Sequence, residues 1–317
     1  MRKVVITGAT GVTGRALVSH AIREGYEVLA VVHRTSLRAS DLEQIEGCRV
    51  LRLDLPEYGE GLAEMRRQGF ETDEYEMYFH LAWMAPFGKD RENLSLQVDN
   101  IKASLNAVEM AKGLGCHTFI GIGSQSEYGR TNEPLGPMTP TFPETGYGIA
   151  KLCTGQLTRL KCEQMGLKHI WTRVLSVYGP YDRDQTLITD AVIHMMNNEE
   201  TSFSPCEQIW DYLYSDDVAR AIWLTGVRGQ HGRVYVAGSG KTRLLKEYII
   251  DIARITGYQK EIGFGKRSYN DRQVMHLQAE PESLRSLGFQ PEISFEEGIL
   301  RMIQWLRKRD EIKTMAE

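Results

Sequence analysis

The pattern of apolar and polar positions divides the chain into two rhythms. Through the first half, short β-branched runs alternate with amphipathic stretches. The runs predict strands over residues 3–7, 27–32, 49–53, 76–81, 117–122 and 168–174. Between them, apolar positions recur at helical spacing over 12–24, 92–113 and 146–165. In the first of these, Val12, Ala16, Leu17, Ala21 and Ile22 share one face. Strands separated by amphipathic helices imply an α/β architecture with a parallel sheet covered on both sides. Right-handed crossovers make such a sheet doubly wound, with its ligand at the carboxyl ends of the strands. After Tyr178-Gly179-Pro180 the rhythm changes, and helices near 185–197, 215–226, 243–256 and 295–308 alternate with short apolar pieces. The expectation is a sheet domain over 1–177 and a smaller α/β, substrate-binding region over 178–317. Their boundary is interleaved, because Trp210–Tyr214 and the helix after it are suited to return to the first part.

The first strand runs into Thr7-Gly8-Ala9-Thr10-Gly11-Val12-Thr13-Gly14, with glycines three apart. Strand, tight glycine turn and helix in that order form the pyrophosphate cradle of a Rossmann dinucleotide site. Gly8, Thr10, Gly11, Val12, Thr13 and Gly14 are therefore expected to touch a cofactor. An acidic residue at the end of the second strand grips the adenosine ribose of NAD. Here Val28-Leu29-Ala30-Val31-Val32 ends in His33-Arg34, with no carboxylate where one is expected. A guanidinium suits a 2′-phosphate, so NADP(H) is favoured, with Arg34 as its main contact beside His33, and NAD(H) stays open. The competing reading makes Arg34 a solvated loop residue. Asp54, followed by Leu55, closes the third strand as a contact for adenine or as a helix cap. Leu81 and Ala82, after His80, place backbone beside the cofactor.

Composition narrows the setting. The 317 residues carry a net charge of −4, which makes no electrostatic case for nucleic acid or an anionic membrane. No apolar run approaches the length of a membrane span. The first strand follows Met1 so closely that no signal or transit peptide is expected. The five cysteines make no CxxC pair and read as reduced thiols in the cytoplasm. The eight histidines lack ligand spacing, so no metal is expected.

Tyr147 and Lys151 stand four apart on one helix face. In a chain with 14 tyrosines such a pair arises readily by chance, and its bland reading is a surface tyrosine beside a solvated lysine. Context raises it. The strand Thr118-Phe119-Ile120-Gly121-Ile122 leads to Ser124 at its carboxyl end, on the ligand side. A second glycine stretch, Gly238-Ser239-Gly240-Lys241-Thr242, mimics a phosphate loop, but its first glycine is missing because Tyr235 stands there.

At these residues the chain resembles the extended short-chain dehydrogenase/reductase family, of the nucleotide-sugar epimerase, dehydratase and ketoreductase kind. The resemblance rests on Gly8 to Gly14, His80-Leu81-Ala82, Ser124 with Tyr128-Gly129, Tyr147 with Lys151, Val177-Tyr178-Gly179-Pro180, and Asp211 to Asp217. It implies that Tyr147 is the acid/base, that Lys151 lowers its pKa and holds the nicotinamide ribose, and that Ser124 hydrogen-bonds the substrate oxygen. Family dehydratases carry an Asp-Glu pair just after the active-site hydroxyl residue. Gln125-Ser126 stands there, so dehydration is not expected. The His33-Arg34 ending favours reduction of a nucleotide-linked 4-keto-6-deoxyhexose at C4 over a 4-epimerase with tightly bound NAD(P).

Two departures bear on the substrate. Trp210 replaces an arginine that meets pyrophosphate in many members, and Ser176 replaces an asparagine. Gln125, Ser176, Arg183 and Trp210 are the candidate substrate contacts, with Arg243 a further phosphate candidate. Trp210 reads equally as a core aromatic, and Arg183 as a surface charge. The resemblance also implies a homodimer through helices 92–113 and 146–165. Leu94, Val98, Ile101, Leu105, Val108 and Ala111 form a stripe suited to that or to the helix's own sheet. A cofactor-sensing protein on the same fold is the alternative from another class.

Overall fold

Val4, Val5 and Ile6 of β1 (Arg2–Thr7) are wholly buried on both faces, as a strand inside a covered parallel sheet requires. The computed structural model describes residues 2–72 and 74–316. After β1 come α1 (Val12–Arg23), β2 (Tyr26–Val32), α2 (Ala39–Glu43) and β3 (Cys48–Arg52). A 3₁₀ turn over Leu55–Glu60 leads to α3 (Gly61–Arg67), β4 (Tyr75–His80) and α4 (Leu94–Gly113). The first part ends with β5 (Thr118–Ser124), α5 (Gly146–Met165) and β6 (Lys168–Val174). All six expected strands are present, and β5 runs two residues further than its apolar stretch, to Ser124.

The second part holds β7 (Ser176–Tyr178), α6 (Leu187–Met196), β8 (Ile209–Trp210), β9 (Tyr212–Tyr214) and α7 (Ser215–Arg228). It closes with β10 (Arg233–Ala237), β11 (Arg243–Leu244), α8 (Leu245–Thr256), α9 (Glu282–Arg285) and α10 (Phe295–Ala316). The large sheet has seven strands in the order β10-β6-β5-β4-β1-β2-β3. Every pairing in it is parallel. Strand order reverses between β1 and β4, and that reversal opens a crevice at the carboxyl ends.

The interleaving of the two parts takes a definite form. β10 pairs with β6 at the sheet edge, and α7 returns to pack on α1. Trp223 of α7 stacks on Phe79 of β4 at 5.6 Å and meets Tyr26 of β2 edge-on at 4.8 Å. The cut at 177/178 therefore does not divide the core: α7, β10 and α9, all beyond it, belong to the sheet layer. A separate core beside it is built from Tyr178, Ile188, Val192, Tyr214, Ile249 and Met302.

The apolar stripe of α4 splits. Val108 and Ala111 face the sheet, with Ala103 and Ala107. Leu94 and Val98 stand 64% and 61% exposed. On α5, which packs beside α4, Ile149, Leu157 and Leu160 are exposed too. Among the described residues no helix is long and apolar enough to cross a membrane, and no group of three or more His, Cys, Asp or Glu is placed to hold a metal ion.

Candidate active site

The glycine turn after β1 is fixed by backbone contacts. Gly8 has φ +67° and its N–H donates to Val31 O at 3.1 Å. A Cβ on Gly8 would lie 2.9 Å from Ala82 N, and one on Gly14 would lie 2.2 Å from Gly8 O. A Cβ on Gly11 would meet nothing nearer than Gly8 O at 3.6 Å. Gly8 and Gly14 therefore hold strand, loop and helix together, while Gly11 leaves open space on the cleft side. That is the room a pyrophosphate needs.

Beside the turn, a chain of hydrogen bonds can be traced with every donor assigned. Ser104 Oγ donates to Asn100 O at 2.8 Å, so it accepts from His80 Nε2 at 3.0 Å. His80 Nδ1 then accepts from Thr7 Oγ1 at 3.1 Å. The Thr7 oxygen accepts the amides of Leu81 and Ala82, each at 3.1 Å. Burial lowers the pKa of His80 to about 3, with Lys151 adding to the effect. The neutral ring is the form this chain requires. Asn100 anchors the next loop residue, accepting from Met84 N and donating to Met84 O.

The crevice is a cleft of about 420 Å³. Gly8, Gly11, Val12, Thr13, Gly14 and Leu81 line it on the glycine-turn side. Ser124, Gln125, Tyr147, Lys151 and Ser176 line the other. The structure thus brings together the expected cradle and the expected Ser–Tyr–Lys set. Thr10, His33, Arg34, Asp54, Leu55, Ala82, Arg183 and Trp210 lie outside its lining.

Ser124 ends β5 and caps a short 3₁₀ turn, its Oγ accepting from Ser126 N at 3.2 Å. Thr145 caps α5 by accepting from Gly148 N at 3.0 Å, which sets Tyr147 and Lys151 in its first turns. Lys151 is buried, donates to Ile122 O at 2.7 Å and lies 3.9 Å over the Trp83 ring. Burial lowers its pKa to about 7, with Glu127 opposing. Burial raises the Tyr147 pKa, while a hydrogen bond with Ser124 and the charge of Arg91 pull it down. The Arg91 guanidinium lies 4.4 Å from the Tyr147 ring and donates to Ser126 Oγ at 2.5 Å. Trp83, Arg91 and Thr7 were not singled out from the sequence. Thr7 ends the strand that opens the glycine turn; for Trp83 and Arg91 no sequence signal exists beyond their place after the fourth strand.

The Arg34 side chain is held by carboxylates of its own chain. Its Nε and Nη2 bind the Glu57 carboxylate at 2.9 and 3.2 Å, and Nη1 reaches Glu64 at 3.3 Å. Asp54 accepts the Arg34 amide at 2.8 Å and stands 3.4 Å from His33 Nε2. Leu55 is buried in the core. Asp54 is also the N-cap residue of the following 3₁₀ turn, and its N–H donates to Glu57 Oε2 at 3.0 Å. Two carboxylates thus occupy the guanidinium that was to meet a 2′-phosphate.

On the substrate side, the Trp210 indole N–H donates to Ser176 Oγ at 2.8 Å, so these two departures from the family pattern are partners. Arg183 lies 4.8 Å from the ring of Phe87, which lines the cleft. Arg243 is tied to Asp251 at 2.8 Å. The glycine stretch after β10 offers no cradle: Asp211, fully buried, accepts the amides of Ser239 and Gly240 at 2.9 Å each and that of Ala279 at 3.0 Å.

A seven-stranded doubly wound parallel sheet with this cleft at its reversal point defines a Rossmann-type, nucleotide-binding class of fold. The family model described as the NAD dependent epimerase/dehydratase family matches residues 4–238, and the chain belongs to that family. It is 25% identical to the CDP-abequose synthase of Salmonella muenchen, over 95% of this chain and 97% of that protein. It is 24% identical to the UDP-glucuronate 4-epimerase of Thermodesulfobacterium geofontis, over 97% of each. Among solved structures, it superposes on the UDP-glucose 4-epimerase of Thermotoga maritima, crystallised with UDP-glucose. The TM-score is 0.85 at 25% identity, over 97% of this chain and 99% of that one.

Proposed function

We propose that the protein reduces the C4 ketone of a nucleotide-linked 4-keto-6-deoxyhexose, with Tyr147 as proton donor and a nicotinamide cofactor in the cleft. The observation that carries this reading is what surrounds Ser124. Gln125, which lines the cleft, and Ser126, which accepts a hydrogen bond from Arg91, carry no carboxyl group. Glu127 is wholly buried and bound to Arg173, out of reach of a sugar. A site without a free carboxyl pair suits hydride exchange and proton transfer, and not elimination of water.

The open space at Gly11 and the backbone of Val12 and Thr13 fit a pyrophosphate at the N-terminus of α1. Lys151 and Tyr147 would hold the nicotinamide end. When bound, the cofactor supplies or accepts the hydride. Tyr147 gives its phenolic proton to the carbonyl oxygen, turning ketone plus hydride and proton into a carbinol. Burial keeps that phenol protonated, as a donor needs. Ser124 steadies the same oxygen as charge gathers on it. Lys151 stabilises the phenolate left behind.

The missing carboxylate at the end of β2 supports NADPH as the reductant, through the His33–Arg34 ending. Binding a 2′-phosphate at Arg34 requires the guanidinium to leave Glu57 and Glu64. That ion-pair network favours a second reading, a nucleotide-sugar 4-epimerase that keeps NAD(H) bound. The experiment follows reduced-nicotinamide absorbance with NADPH or NADH and a panel of NDP-4-keto-6-deoxyhexoses. Stoichiometric oxidation with one keto sugar supports the reductase. Interconversion of unmodified NDP-hexoses with no net cofactor change supports the epimerase. Silence in both favours a cofactor-sensing role or another carbonyl substrate.

The same reading includes a homodimer. Leu94 and Val98 on α4 and Ile149, Leu157 and Leu160 on α5 form an apolar face open to solvent in the single chain. It also places the protein in the cytoplasm, in keeping with five free thiols.

A further inference from the structure

Glu127 follows Ser124 by three residues, and its side chain turns into the core. It is wholly buried. Its Oε1 accepts the Ser124 amide at 2.8 Å. The Trp171 indole N–H reaches both carboxylate oxygens at 3.1 Å, and Arg173 Nε binds Oε2 at 2.7 Å. Arg173 is itself only 4% exposed and lies 4.5 Å from the Tyr128 ring.

The chain gives up side chains to make room for this cluster. A Cβ on Gly123 would lie 2.3 Å from Glu127 Oε1, and one on Gly121 would lie 2.4 Å from the Trp171 ring. A Cβ on Gly155 of α5 would lie 2.8 Å from the same ring. A buried ion pair seldom repays its desolvation in stability. This one is also incompletely satisfied, since Arg173 Nη1 is buried without a partner. Stability alone does not account for it. Its contact with the Ser124 amide does suggest a use.

We propose that Glu127 is a positioning residue for the reaction proposed above: locked by Arg173 and Trp171, its carboxylate holds the turn that carries Ser124 and keeps a fixed negative charge on the core side of the Ser124–Tyr147–Lys151 set. The charges around that set are few. Tyr147 faces Arg91 at 4.4 Å and Lys151 at 5.9 Å from its ring. Lys151 faces Trp83, with neutral His80 nearby. Arg173 and Tyr128 face Glu127. Of the buried pair, Glu127 is the member that both Tyr147 and Lys151 feel, and it raises the proton affinity of each. Glu127 thereby adds to the effect of burial on the phenol and opposes the effect of burial on the lysine.

The test uses the cofactor-loaded protein and needs no substrate. Tyrosinate absorbance is titrated in wild type and Tyr147→Phe, and their difference gives the Tyr147 midpoint. The same pair is measured in the Glu127→Gln background. We expect the midpoint to fall, because the buried charge that raises it is gone. We also expect kcat on the active keto sugar to fall about tenfold, with the alkaline limb of its pH profile moving down equally and KM for cofactor unchanged. Glu127→Gln strands the Arg173 charge, so Glu127→Gln/Arg173→Met is the companion if the single variant does not fold. Its midpoint should move in the same direction by the same amount, since neither Tyr147 nor Lys151 feels Arg173. An unmoved midpoint in the folded variant overturns the proposal and leaves Glu127 a packing residue. Turnover retained by Tyr147→Phe would instead overturn the functional reading, and the titration would still decide the role of Glu127.

Discussion

The Lys151 ammonium lies 3.9 Å over the centre of the Trp83 ring, with its proton directed at the Ile122 carbonyl. It has no carboxylate of its own, and burial lowers its pKa from an ordinary 10.5 to about 7. Between those values the unfolded chain holds the proton that the folded chain releases, so this group makes stability rise with pH across that window. The cost of Lys151 is full below pH 7 and gone above 10.5. We therefore expect Lys151→Met without cofactor to melt a few degrees higher than wild type at pH 6. The gain should shrink steadily toward pH 10. Turnover should fall by at least about 100-fold in the same variant. Differential scanning calorimetry across pH checks the first part.

The two glycines of the turn should fail in different ways. Alanine at Gly14 would drive its Cβ to 2.2 Å from Gly8 O and 2.9 Å from Ala9 Cα, both backbone atoms. Gly14→Ala should lose the fold or several kcal/mol of it. Alanine at Gly11 meets only ordinary contact in the protein itself. Gly11→Ala should melt within about 1 kcal/mol of wild type yet bind NAD(P)H at least tenfold more weakly. Melting curves and fluorescence titration of the reduced cofactor separate the two.

Thr7 serves two amides and one imidazole nitrogen with a single hydroxyl. Valine fills the same space and satisfies none of them. Thr7→Val should lose about 2–4 kcal/mol in denaturant unfolding. Cofactor affinity should weaken with it, because Leu81 lines the cleft.

Much of this could be read from the chain. The strands were legible because parallel strands buried on both faces are continuous apolar runs. The glycine turn was legible because strand, turn and helix follow one another in the order a backbone cradle requires, whereas Ser124, Tyr147 and Lys151 were singled out by resemblance to the family, their spacing alone arising readily by chance. The ion pairs around Arg34 were not legible. Arg34 looks free in sequence, and the carboxylates that hold it lie 23 and 30 residues away in the next connection. The surroundings of Glu127 were not legible either: a 3₁₀ turn after β5 folds its side chain into the core beneath Ser124, against a guanidinium 46 residues away. β10 leads into the glycine stretch at Gly238, and its place beside β6 depends on a crossover that no local pattern records.

The open face of α4 and α5 gives a further expectation. Val98, 61% exposed, lies on it. Val98→Asp should leave the circular dichroism spectrum unchanged and convert a dimer into a monomer in light scattering. A wild-type protein that is monomeric at micromolar concentration would remove the dimer from the account.

The central claim is that Tyr147 moves the proton while a nicotinamide in the adjoining cleft exchanges hydride with a sugar ketone. The direct measurement is NADPH and NADH oxidation by wild type and Tyr147→Phe against the keto-sugar panel, with cofactor affinity measured alongside. The account predicts turnover with one keto sugar that falls by at least about 100-fold in Tyr147→Phe, at unchanged cofactor affinity. Turnover that survives the loss of the phenolic hydroxyl would contradict it.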